Sequence, residues 1–449
     1  MVSHESLALL TDLYQLTMAQ AYFNDHKTER ATFSLFIRSY PLNRGFFISA
    51  GLHDVLKFLE NFALDEPALN YLSMQNLFTH DFLKFLEKLR FTGDVWALPE
   101  GQLFFKDEPI LEVTAPIIEA QLVETFIINQ INLQSLIATK AARCVHAAGK
   151  RAVVDFALRR THGIDAGMKV ARSSYLAGFA GTSNVLAGKR YEIPTTGTMA
   201  HSFVSSFEDE IDAFRSYAAS FPETATLLID TYDTIAGARK AAEVAKEMAA
   251  RGQRLKGVRI DSGDLAELAI KVRKILDDAG FPDIKIIGSG GLDEYDLTEL
   301  SGAQIPFDSY GVGTKMGTSS DSPWSDMAYK LVEYGDKPVL KRSPGKISWP
   351  GAKQLFRQRN DQGQLEQDII GLRDERIAGT ETLLGKVMEG GKIVGTLPTL
   401  AQSRAGLAKE LGHLSDLTKA IRNPVLYPVE FSPALVRLRE ETERKLIKL

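Results

Sequence analysis

Cysteine is the scarcest residue in this chain of 449 residues, since Cys144 is the only one. A single thiol excludes an internal disulfide and a zinc site built from several cysteines, and it is typical of a reducing compartment. Long apolar runs are also missing, because no stretch approaches the roughly 20 residues of a membrane helix. The start, MVSHESLALLTDLYQ, lacks the pattern of a secretory signal. We therefore expect a cytoplasmic protein with no membrane partner and a buried Cys144.

An excess of positive charge is lacking as well, since the formal net charge is -4 at pH 7. Nucleic-acid-binding proteins normally carry a basic patch, so this balance argues against a nucleic-acid partner. Hydrophobic residues make up 44% of the chain and charged residues 24%, as in an ordinary globular enzyme. The length exceeds what a single core usually supports, so we expect two or three domains.

The middle of the chain alternates short apolar runs with helical segments. The runs have small or polar residues at or next to their carboxyl ends and are AVVDF (152–156), TATLLID (224–230), GVRID (257–261), IKIIGSG (284–290) and SYGVGT (309–314). Strands separated by helices form parallel sheets with right-handed crossovers. Because the polar residues collect at the carboxyl ends of the runs, where barrels build their sites, we predict an α/β fold with an irregular (β/α) barrel. An open doubly wound sheet is the alternative.

Two regions of different pattern flank the predicted barrel, which we place at residues 126–335. Residues 1–125 mix helical segments with strand-like pieces such as RATFSLFI (30–37), so they predict an N-terminal mixed α/β domain. Residues 336–449 are richer in glycine, proline and lysine, and the alternation fades there. We predict that they form a C-terminal segment, partly extended, that packs back on the first domain.

Glycine-rich turns follow the last two predicted strands, as GSGG at 288–291 and GVGT at 311–314. Glycines between a strand and a helix let main-chain N–H groups approach phosphate oxygens, and the helix dipole favours the anion. Glycines also make tight turns, so neither motif is specific alone. Their presence after consecutive strands predicts a phosphate site.

Paired acids follow two other predicted strands. LLIDTYDT contains Asp230 and Asp233, and RIDSGDL contains Asp261 and Asp264. The first acid of a pair can reach ribose hydroxyls or Mg²⁺, whereas the second can cap the following helix. We assign the ligand role to Asp230 and Asp261 and the capping role to Asp233 and Asp264.

Arg259 precedes Asp261 by two residues and therefore points to the same side of its strand. An ion pair between them and a contact from Arg259 to an anionic or aromatic substrate are both open interpretations. The stretch DFALRRTHGIDAG (155–167) adds Arg159 and Arg160, which suit a pyrophosphate, with a solvated loop as the alternative.

Two further motifs lie in the sequence between the arginines and the paired acids. GTSN (181–184) supplies Ser183 and other polar groups for phosphate or ribose contacts, or for a helix cap. GTMAHSFVSSFEDE (197–210) places His201 among small residues before an acidic helix start, where a lone histidine most often has no functional role. Together, the motifs describe a site for a sugar phosphate with a polyphosphate and Mg²⁺.

The motifs, in this order, resemble the bacterial type of nicotinate phosphoribosyltransferase, in the type II phosphoribosyltransferase family. They are TDLYQLTM (11–18), FALRRTHGIDAGMKVARSSYLAGFAGTSNVLAGKRY (156–191), GTMAHSF, LLIDTYDT, RIDSGDL, GSGG, GVGTKMGTS (311–319), SPGK (343–346) and KQLFR (353–357). The resemblance covers most of the chain. It implies transfer of 5-phosphoribose from phosphoribosyl pyrophosphate to nicotinate, coupled to ATP hydrolysis, as the entry to NAD from salvaged nicotinate.

The resemblance also implies Mg²⁺, ATP as co-substrate and a homodimer with shared active sites, in which Tyr14 would reach the pyridine ring of the neighbouring subunit. Thr198 and Arg259 would contact nicotinate, and Arg159 or Arg160 would hold pyrophosphate. The other substrate-binding positions, the last four gripping the 5-phosphate, are Phe156, Ser183, Gly290, Gly291, Gly313 and Thr314.

Three residues would be catalytic on the same resemblance: Asp230 and Asp261 would face ribose or Mg²⁺, and His201 matches the histidine that ATP phosphorylates. Three alternatives stay open from the sequence. They are a nicotinamide-specific phosphoribosyltransferase, a barrel lyase or isomerase acting on a phosphosugar, and a non-catalytic nucleotide sensor.

Overall fold

A computed structural model describes residues 4–302, 305–341 and 348–447. The chain divides into two compact units: the barrel unit, Lys140–Pro323, and the sheet unit, which combines Met1–Thr139 with Trp324–Leu449. The sequence predicts boundaries at 125/126 and 335/336, whereas the units divide at 139/140 and 323/324. The SPGK motif, residues 343–346, lies outside the described residues.

The described part of the sheet unit contains three sheets. The largest has seven antiparallel strands, in the order Lys337–Pro338, Met327–Tyr334, Arg30–Ile37, Leu111–Pro116, Asp94–Ala97, Gly385–Glu389 and Lys392–Ile393. The second has four, in the order Thr380–Thr382, Lys353–Arg359, Leu365–Leu372 and Val429–Phe431, and the third has two, Phe47–Ile48 and Leu103–Phe104. The predicted strand at 30–37 is confirmed, and it lies inside the largest sheet with seven of its eight residues buried.

Helices surround these sheets, and several begin at capping side chains. Asp65 accepts a hydrogen bond from the N–H of Ala68, and Thr399 forms a capping box with Gln402. The helices of the sheet unit are a 3₁₀ helix His4–Leu9 and α-helices Leu13–Asn24, Leu52–Glu60, Glu66–Met74, His80–Lys88, Ile117–Leu122, Leu400–His413, Asp416–Lys419 and Pro433–Ile447. Within the described ranges, no helix is both long and apolar enough to cross a membrane.

The core of the sheet unit is made by both ends of the chain. Phe33 and Leu111 belong to the same apolar cluster as Leu355 and Met388. The strand Met327–Tyr334 pairs with Arg30–Ile37 along its whole length. The C-terminal segment therefore packs back on the N-terminal domain, as predicted.

Among its described residues, the barrel unit has six parallel strands. In chain order they are Ala152–Asp155, Gly181–Thr182, Thr226–Leu228, Gly257–Ile260, Lys285–Gly288 and Ser309–Val312. The first strand pairs with the second on one side and with the sixth on the other, and the remaining strands follow in sequence. Pairing of the first strand with the last is the step that closes a (β/α) barrel. A doubly wound sheet would instead run outward from its first strand in two directions.

One seam of this barrel is incomplete, because the described pairings do not join the second strand to the third. Residues 194–196 follow the edge of the second strand instead: the N–H of Thr182 donates to the carbonyl of Pro194, and the N–H of Thr196 donates to that of Thr182, both at 3.0 Å. The predictions of an irregular (β/α) barrel and of a mixed α/β domain are confirmed.

Helices connect the barrel strands, as the alternating pattern predicted. The described ones are the long helix Glu124–Ala148, which crosses the unit boundary, a 3₁₀ helix Leu158–Arg160, and α-helices Ile164–Leu176, Val185–Tyr191, His201–Val204, Glu210–Ser220, Thr234–Ala250, Leu265–Asp278, Glu294–Gly302 and Thr314–Gly317. Cys144 lies on the long helix and is fully buried, as predicted, and burial raises the pKa of its thiol.

Candidate active site

Polar residues and glycines gather at the carboxyl ends of the barrel strands. Asp155 ends the first strand, Asp230 and Asp261 follow the third and fourth strands, and Ser289 and Gly313 follow the last two. Parallel strands present their carboxyl ends on one edge of the sheet, which is where barrel enzymes build their sites. The strand order therefore brings these five residues to one side of the barrel unit.

The two predicted ligand acids, Asp230 and Asp261, are joined by a hydrogen bond. Asp230 Oδ2 accepts hydrogen bonds from the N–H of Asp261 at 3.0 Å and from Oγ of Ser262 at 2.6 Å. Asp261 Oδ1 in turn accepts from Oγ of Ser289. Asp230 Oδ1 is buried and has no hydrogen-bond partner among the described residues.

The capping role predicted for the second acid of each pair is confirmed. Asp233 accepts a hydrogen bond from the N–H of Ala236 at 2.7 Å at the start of Thr234–Ala250. Asp264 accepts from the N–H of Glu267 at 3.0 Å in the same way. Both carboxylates satisfy otherwise unpaired N–H groups of a first helical turn.

Arg259 is held mainly by a carbonyl oxygen. Its Nη2 donates to the carbonyl of Met199 at 2.8 Å, whereas its Nη1 lies 3.5 Å from Asp261 Oδ1, which is a weak contact. Its Nε is buried and unpaired within the described structure. Burial lowers the pKa of Arg259, the two neighbouring acids oppose this shift, and the Arg159 charge adds to it. A guanidinium remains protonated in proteins, so a cation with spare donor capacity lies at the strand ends.

Phe156 lies beside this cation, with its ring centroid 6.0 Å from the Arg259 guanidinium carbon. The ring occupies space that only glycine leaves open, because a Cβ on Gly311 would come within 2.4 Å of it. The N–H of Phe156 donates to the carbonyl of Val312 at 2.9 Å. The result is an aromatic ring with a cation near it.

His201 and Thr198 come from the connection that follows the incomplete seam. His201 begins the helix His201–Val204, is exposed, and has Nδ1 3.1 Å from Oγ1 of Thr231, the residue after Asp230. Oγ1 of Thr198 donates at 3.4 Å to the Met199 carbonyl, which also accepts from Arg259. The structure thus places both residues at the same strand ends as the predicted acids.

The two glycine turns differ in how closely the backbone packs. Gly290 has φ +102° and lies so near the carbonyl of Asp261 that a Cβ would come within 1.9 Å of its oxygen, whereas Gly291 has φ +71° and open space around it. Gly313 precedes the four-residue helix that Thr314 begins.

A cross-link between these turns was not predicted from the sequence. The ammonium of Lys315 lies 2.9 Å from Asp296 and 3.4 Å from Asp293, at the start of the helix that follows GSGG. Lys315 therefore ties the GVGT turn to the helix after the other turn. The lysine is adjacent to GVGT in the sequence, but nothing local indicated its acidic partners.

The remaining predicted residues lie in three places. Arg159 and Arg160 are exposed on the 3₁₀ helix, and the Arg159 charge helps to lower the pKa of Arg259. The N–H of Ser183 donates to the Asp155 carbonyl at 2.8 Å. Tyr14 belongs to the sheet unit, where desolvation and the Glu124 carboxylate raise its pKa to about 12.

Asp155 and Thr182 were not assigned a role from the sequence, yet they form a buried pair, with Thr182 Oγ1 donating to Asp155 Oδ2 at 2.7 Å. The only available signal was the position of Asp155 near the end of the apolar run 152–156. Its partner lies 27 residues further along the chain.

An incomplete parallel barrel with acids, an arginine and two glycine turns at one edge defines a class of protein, the barrel enzymes that handle phosphorylated, anionic substrates. Family models refine that class. The nicotinate phosphoribosyltransferase (NAPRTase) N-terminal domain matches residues 9–132, the NAPRTase family model matches 151–334, and the C-terminal domain matches 377–439.

Similar proteins of known name agree. The chain is 46% identical to a nicotinate phosphoribosyltransferase of Mycobacterium tuberculosis, over 96% of this chain and 92% of that protein. It is 39% identical to one of Bacillus subtilis, over 95% and 93%. The crystal structure of human nicotinic acid phosphoribosyltransferase superimposes with a TM-score of 0.86 at 30% identity, covering 96% of this chain and 99% of that one. This chain belongs to the nicotinate phosphoribosyltransferase family.

Proposed function

We propose that the protein transfers 5-phosphoribose from phosphoribosyl pyrophosphate to nicotinate, giving nicotinate mononucleotide and pyrophosphate for NAD salvage. The observation that carries this proposal is the cation of Arg259 beside the ring of Phe156. A flat aromatic acid needs a ring surface for its pyridine and a positive charge for its carboxylate, and this pair offers both.

The same pair favours nicotinate over nicotinamide. A carboxylate gains a charge-assisted hydrogen bond from a guanidinium, whereas a neutral amide gains a weaker one. The unpaired Nε of Arg259 is a donor that a bound carboxylate can use. Nicotinate is therefore the base that leaves fewer polar groups of this site unsatisfied.

In the transfer itself, the pyridine nitrogen forms a bond to C1 of the ribose while the bond from C1 to the pyrophosphate oxygen breaks. The ribose becomes cation-like as this bond breaks, so negative groups near it stabilise the transition state. Asp230 and Asp261 supply such groups at adjoining strand ends. Arg159 supplies positive charge for the departing pyrophosphate, on the side of Arg259.

Magnesium fits these residues as a cofactor. Mg²⁺ prefers oxygen ligands and commonly binds through one or two carboxylates together with substrate phosphates. The described residues contain no cluster of three or more acidic, histidine or cysteine ligands, but Asp230 offers an unpaired buried oxygen and Asp261 lies beside it. When bound there, the ion would neutralise charge on the pyrophosphate. Asp230 and Asp261 would hold it.

We also propose that ATP phosphorylates His201. Nδ1 contacts Oγ1 of Thr231 and the side chain is exposed, so Nε2 is the nitrogen that we assign as the nucleophile. With the proton on Nδ1, Nε2 carries the lone pair that attacks the γ-phosphorus of ATP, and the bond to the β-phosphate oxygen breaks to release ADP. The proposed transfer step does not need a strong base, because the pyridine nitrogen is already a nucleophile.

A homodimer with shared active sites completes the proposal. Leu13 is 56% exposed and Tyr14 is 48% exposed on the same helix, next to the acid Asp12. Exposed aromatic and aliphatic side chains of this kind are typical of subunit interfaces. The partner subunit's Tyr14 would lie against the second face of the pyridine ring.

The test compares nicotinate and nicotinamide as substrates for the wild-type protein and for Arg259→Met. We expect nicotinate to be preferred by the wild type, and we expect Arg259→Met to lower kcat/KM for nicotinate about 100-fold with a smaller effect on nicotinamide. Arg254→Met is the matched control, since Arg254 is exposed and pairs with Asp283 outside the site.

Two results would contradict the proposal. Preference of the wild type for nicotinamide would point to the nicotinamide-specific alternative. Cleavage or isomerisation of a phosphosugar, without nicotinate mononucleotide formation, would point to a barrel lyase or isomerase.

A further inference from the structure

We infer that Asp155 is a positioning residue that sets the ring of Phe156 through a buried hydrogen-bond chain that includes Thr182. The inference rests on the proposed function, in which Phe156 lies against nicotinate. Asp155 does not itself need to touch a substrate. Its effect is on the orientation of the residue that follows it.

The carboxylate of Asp155 is 1% exposed and makes two hydrogen bonds to neutral donors. Oδ1 accepts from the N–H of Ala157 at 2.8 Å, and Oδ2 accepts from Oγ1 of Thr182 at 2.7 Å. Burial raises the pKa of Asp155, and both donors oppose the shift. An acid buried this way costs free energy that an aliphatic residue would not. Packing alone does not account for a carboxylate here.

The bond to Ala157 closes a turn around Phe156. A side-chain oxygen that accepts from the N–H two residues later forms an Asx turn, which restricts the backbone of the residue between. Phe156 is that residue, and its own N–H is fixed by the carbonyl of Val312 at 2.9 Å. Its φ and ψ are therefore held from both sides.

The second bond connects this turn to the next strand. Thr182 Oγ1 also accepts from the N–H of Asn184 at 3.1 Å, and the side chain of Asn184 caps the helix Val185–Tyr191. The N–H of Ser183 donates to the main-chain oxygen of Asp155. The connections that leave the first two barrel strands are thus joined by the Thr182 hydroxyl and the Asp155 carboxylate, in addition to this main-chain hydrogen bond.

The ring of Phe156 is closely packed on two sides. A Cβ on Gly311 would come within 2.4 Å of it on one side, and the Arg259 guanidinium lies beside it on another. A small rotation of the Phe156 backbone would change the spacing between the ring and the cation. That change affects a bound pyridine carboxylate more than a bound phosphoribose.

The experiment compares Thr182→Val, which removes the hydroxyl while keeping the shape, with Thr182→Ser, which keeps the hydroxyl. We expect Thr182→Val to raise KM for nicotinate about tenfold while KM for phosphoribosyl pyrophosphate changes less than about twofold, and we expect Thr182→Ser to restore the wild-type value. Thr226→Val is the matched control, because Thr226 is a buried threonine at the start of the third strand of the same sheet.

A double-mutant cycle tests whether the effect acts through the ring. In a Phe156→Ala background, we expect Thr182→Val to cause no further rise in KM for nicotinate, because the ring it positions is gone. Asp155→Asn keeps an acceptor for Ala157 and can donate to Thr182. We expect its KM for nicotinate to lie between those of the wild type and Thr182→Val.

Two results would overturn the inference: additive effects of Thr182→Val and Phe156→Ala, or an equal rise of KM for both substrates with a lower melting temperature. The second result would mean that the chain only stabilises the fold. Failure of the proposed function is distinguishable, because a wild-type protein that forms no nicotinate mononucleotide contradicts that function. An active wild type with either result contradicts only the role of Asp155.

Discussion

The carboxylate of Asp230 accepts the main-chain N–H of Asp261 at 3.0 Å, so a side chain joins two neighbouring strands just past the point where their ladder ends. One oxygen of Asp230 carries this contact, and the other is buried without a partner in the described structure. In Asp230, therefore, Oδ2 holds the backbone of Asp261, and Oδ1 remains available to a ligand. Substitutions can separate the two roles.

We expect Asp230→Asn to keep an acceptor for Asp261 while removing the charge, and therefore to lower kcat about 100-fold with little change in melting temperature. Asp230→Ala leaves the donors of Asp261 and Ser262 unpaired, so it should also lower the free energy of unfolding by about 1–3 kcal/mol. Steady-state kinetics and urea unfolding measure the two effects. Asp283→Asn, on an exposed acid of the same unit, is the control. Full activity of Asp230→Asn would show that the charge is not used.

His201→Ala should abolish ATP stimulation and phosphoenzyme formation while sparing part of the ATP-independent transfer, because the nucleophile is lost but the strand ends remain. Incubation with ATP labelled at the γ-phosphate, followed by gel analysis, measures the phosphoenzyme. His80→Ala, on an exposed helix start in the sheet unit, should label like the wild type. Label on His201→Ala at the wild-type level would place the phosphate elsewhere.

Gly290→Ala and Gly291→Ala should differ in stability although they are adjacent. Both positions have positive φ, which costs about 1–2 kcal/mol for alanine. At Gly290 the new Cβ would also meet the Asp261 carbonyl at 1.9 Å, so this variant should lose at least about 3 kcal/mol. Chemical denaturation of both proteins measures the difference. Equal losses would mean that the Asp261 backbone moves aside easily.

Glu108, in the sheet unit, should make stability depend on pH. Burial first, and the nearby Asp368 carboxylate second, hold its pKa well above the usual value. A carboxyl group with a raised folded-state pKa stabilises the fold below its unfolded pKa, and this contribution is lost as pH rises through the folded pKa. We therefore expect Glu108→Gln to be more stable than the wild type above neutral pH and to lose that advantage near pH 4. Melting temperatures across this range provide the measurement.

The stability of Glu108→Gln also depends on a hydrogen bond of the wild-type side chain. Glu108 accepts from the N–H of Phe105 at 2.8 Å. Glutamine retains this acceptor and has an N–H group that can donate to Asp368, so the main change is the loss of ionisation. Asp374→Asn is an acid-to-amide control at an exposed position in the same unit. A constant difference between Glu108→Gln and the wild type at every pH would contradict the prediction.

The parts of the fold that the sequence predicted are those encoded by local pattern. The strand at 30–37 and the helices after the barrel strands follow from apolar spacing and capping acids such as Asp233 and Asp264. The helix Leu400–His413 was not predicted, because its sequence lacks a clear apolar face. Only Ser403 and Leu407 are buried on it.

What the sequence could not predict depends on contacts between distant residues. Nothing in MAYKLVEY indicates that Met327–Tyr334 pairs with Arg30–Ile37. Similarly, the sequence around Asp155 indicates only the end of a strand, and its hydrogen bond to Thr182 is known only from the structure. The site residues were found as separate motifs, and the hydrogen bonds that fix their relative positions were not visible.

The pairing of Arg30–Ile37 with Met327–Tyr334 has a consequence for synthesis on the ribosome. The barrel unit, Lys140–Pro323, is complete before the last strands of the large sheet have been made. At a synthesis rate of about 5–20 residues per second, one edge of Arg30–Ile37 stays unpaired for roughly 15–60 s before its partner strand is made. An apolar strand with an open edge is a template for aggregation. Slow translation or a shortage of chaperones should therefore reduce the yield of this protein through its first sheet rather than through its barrel.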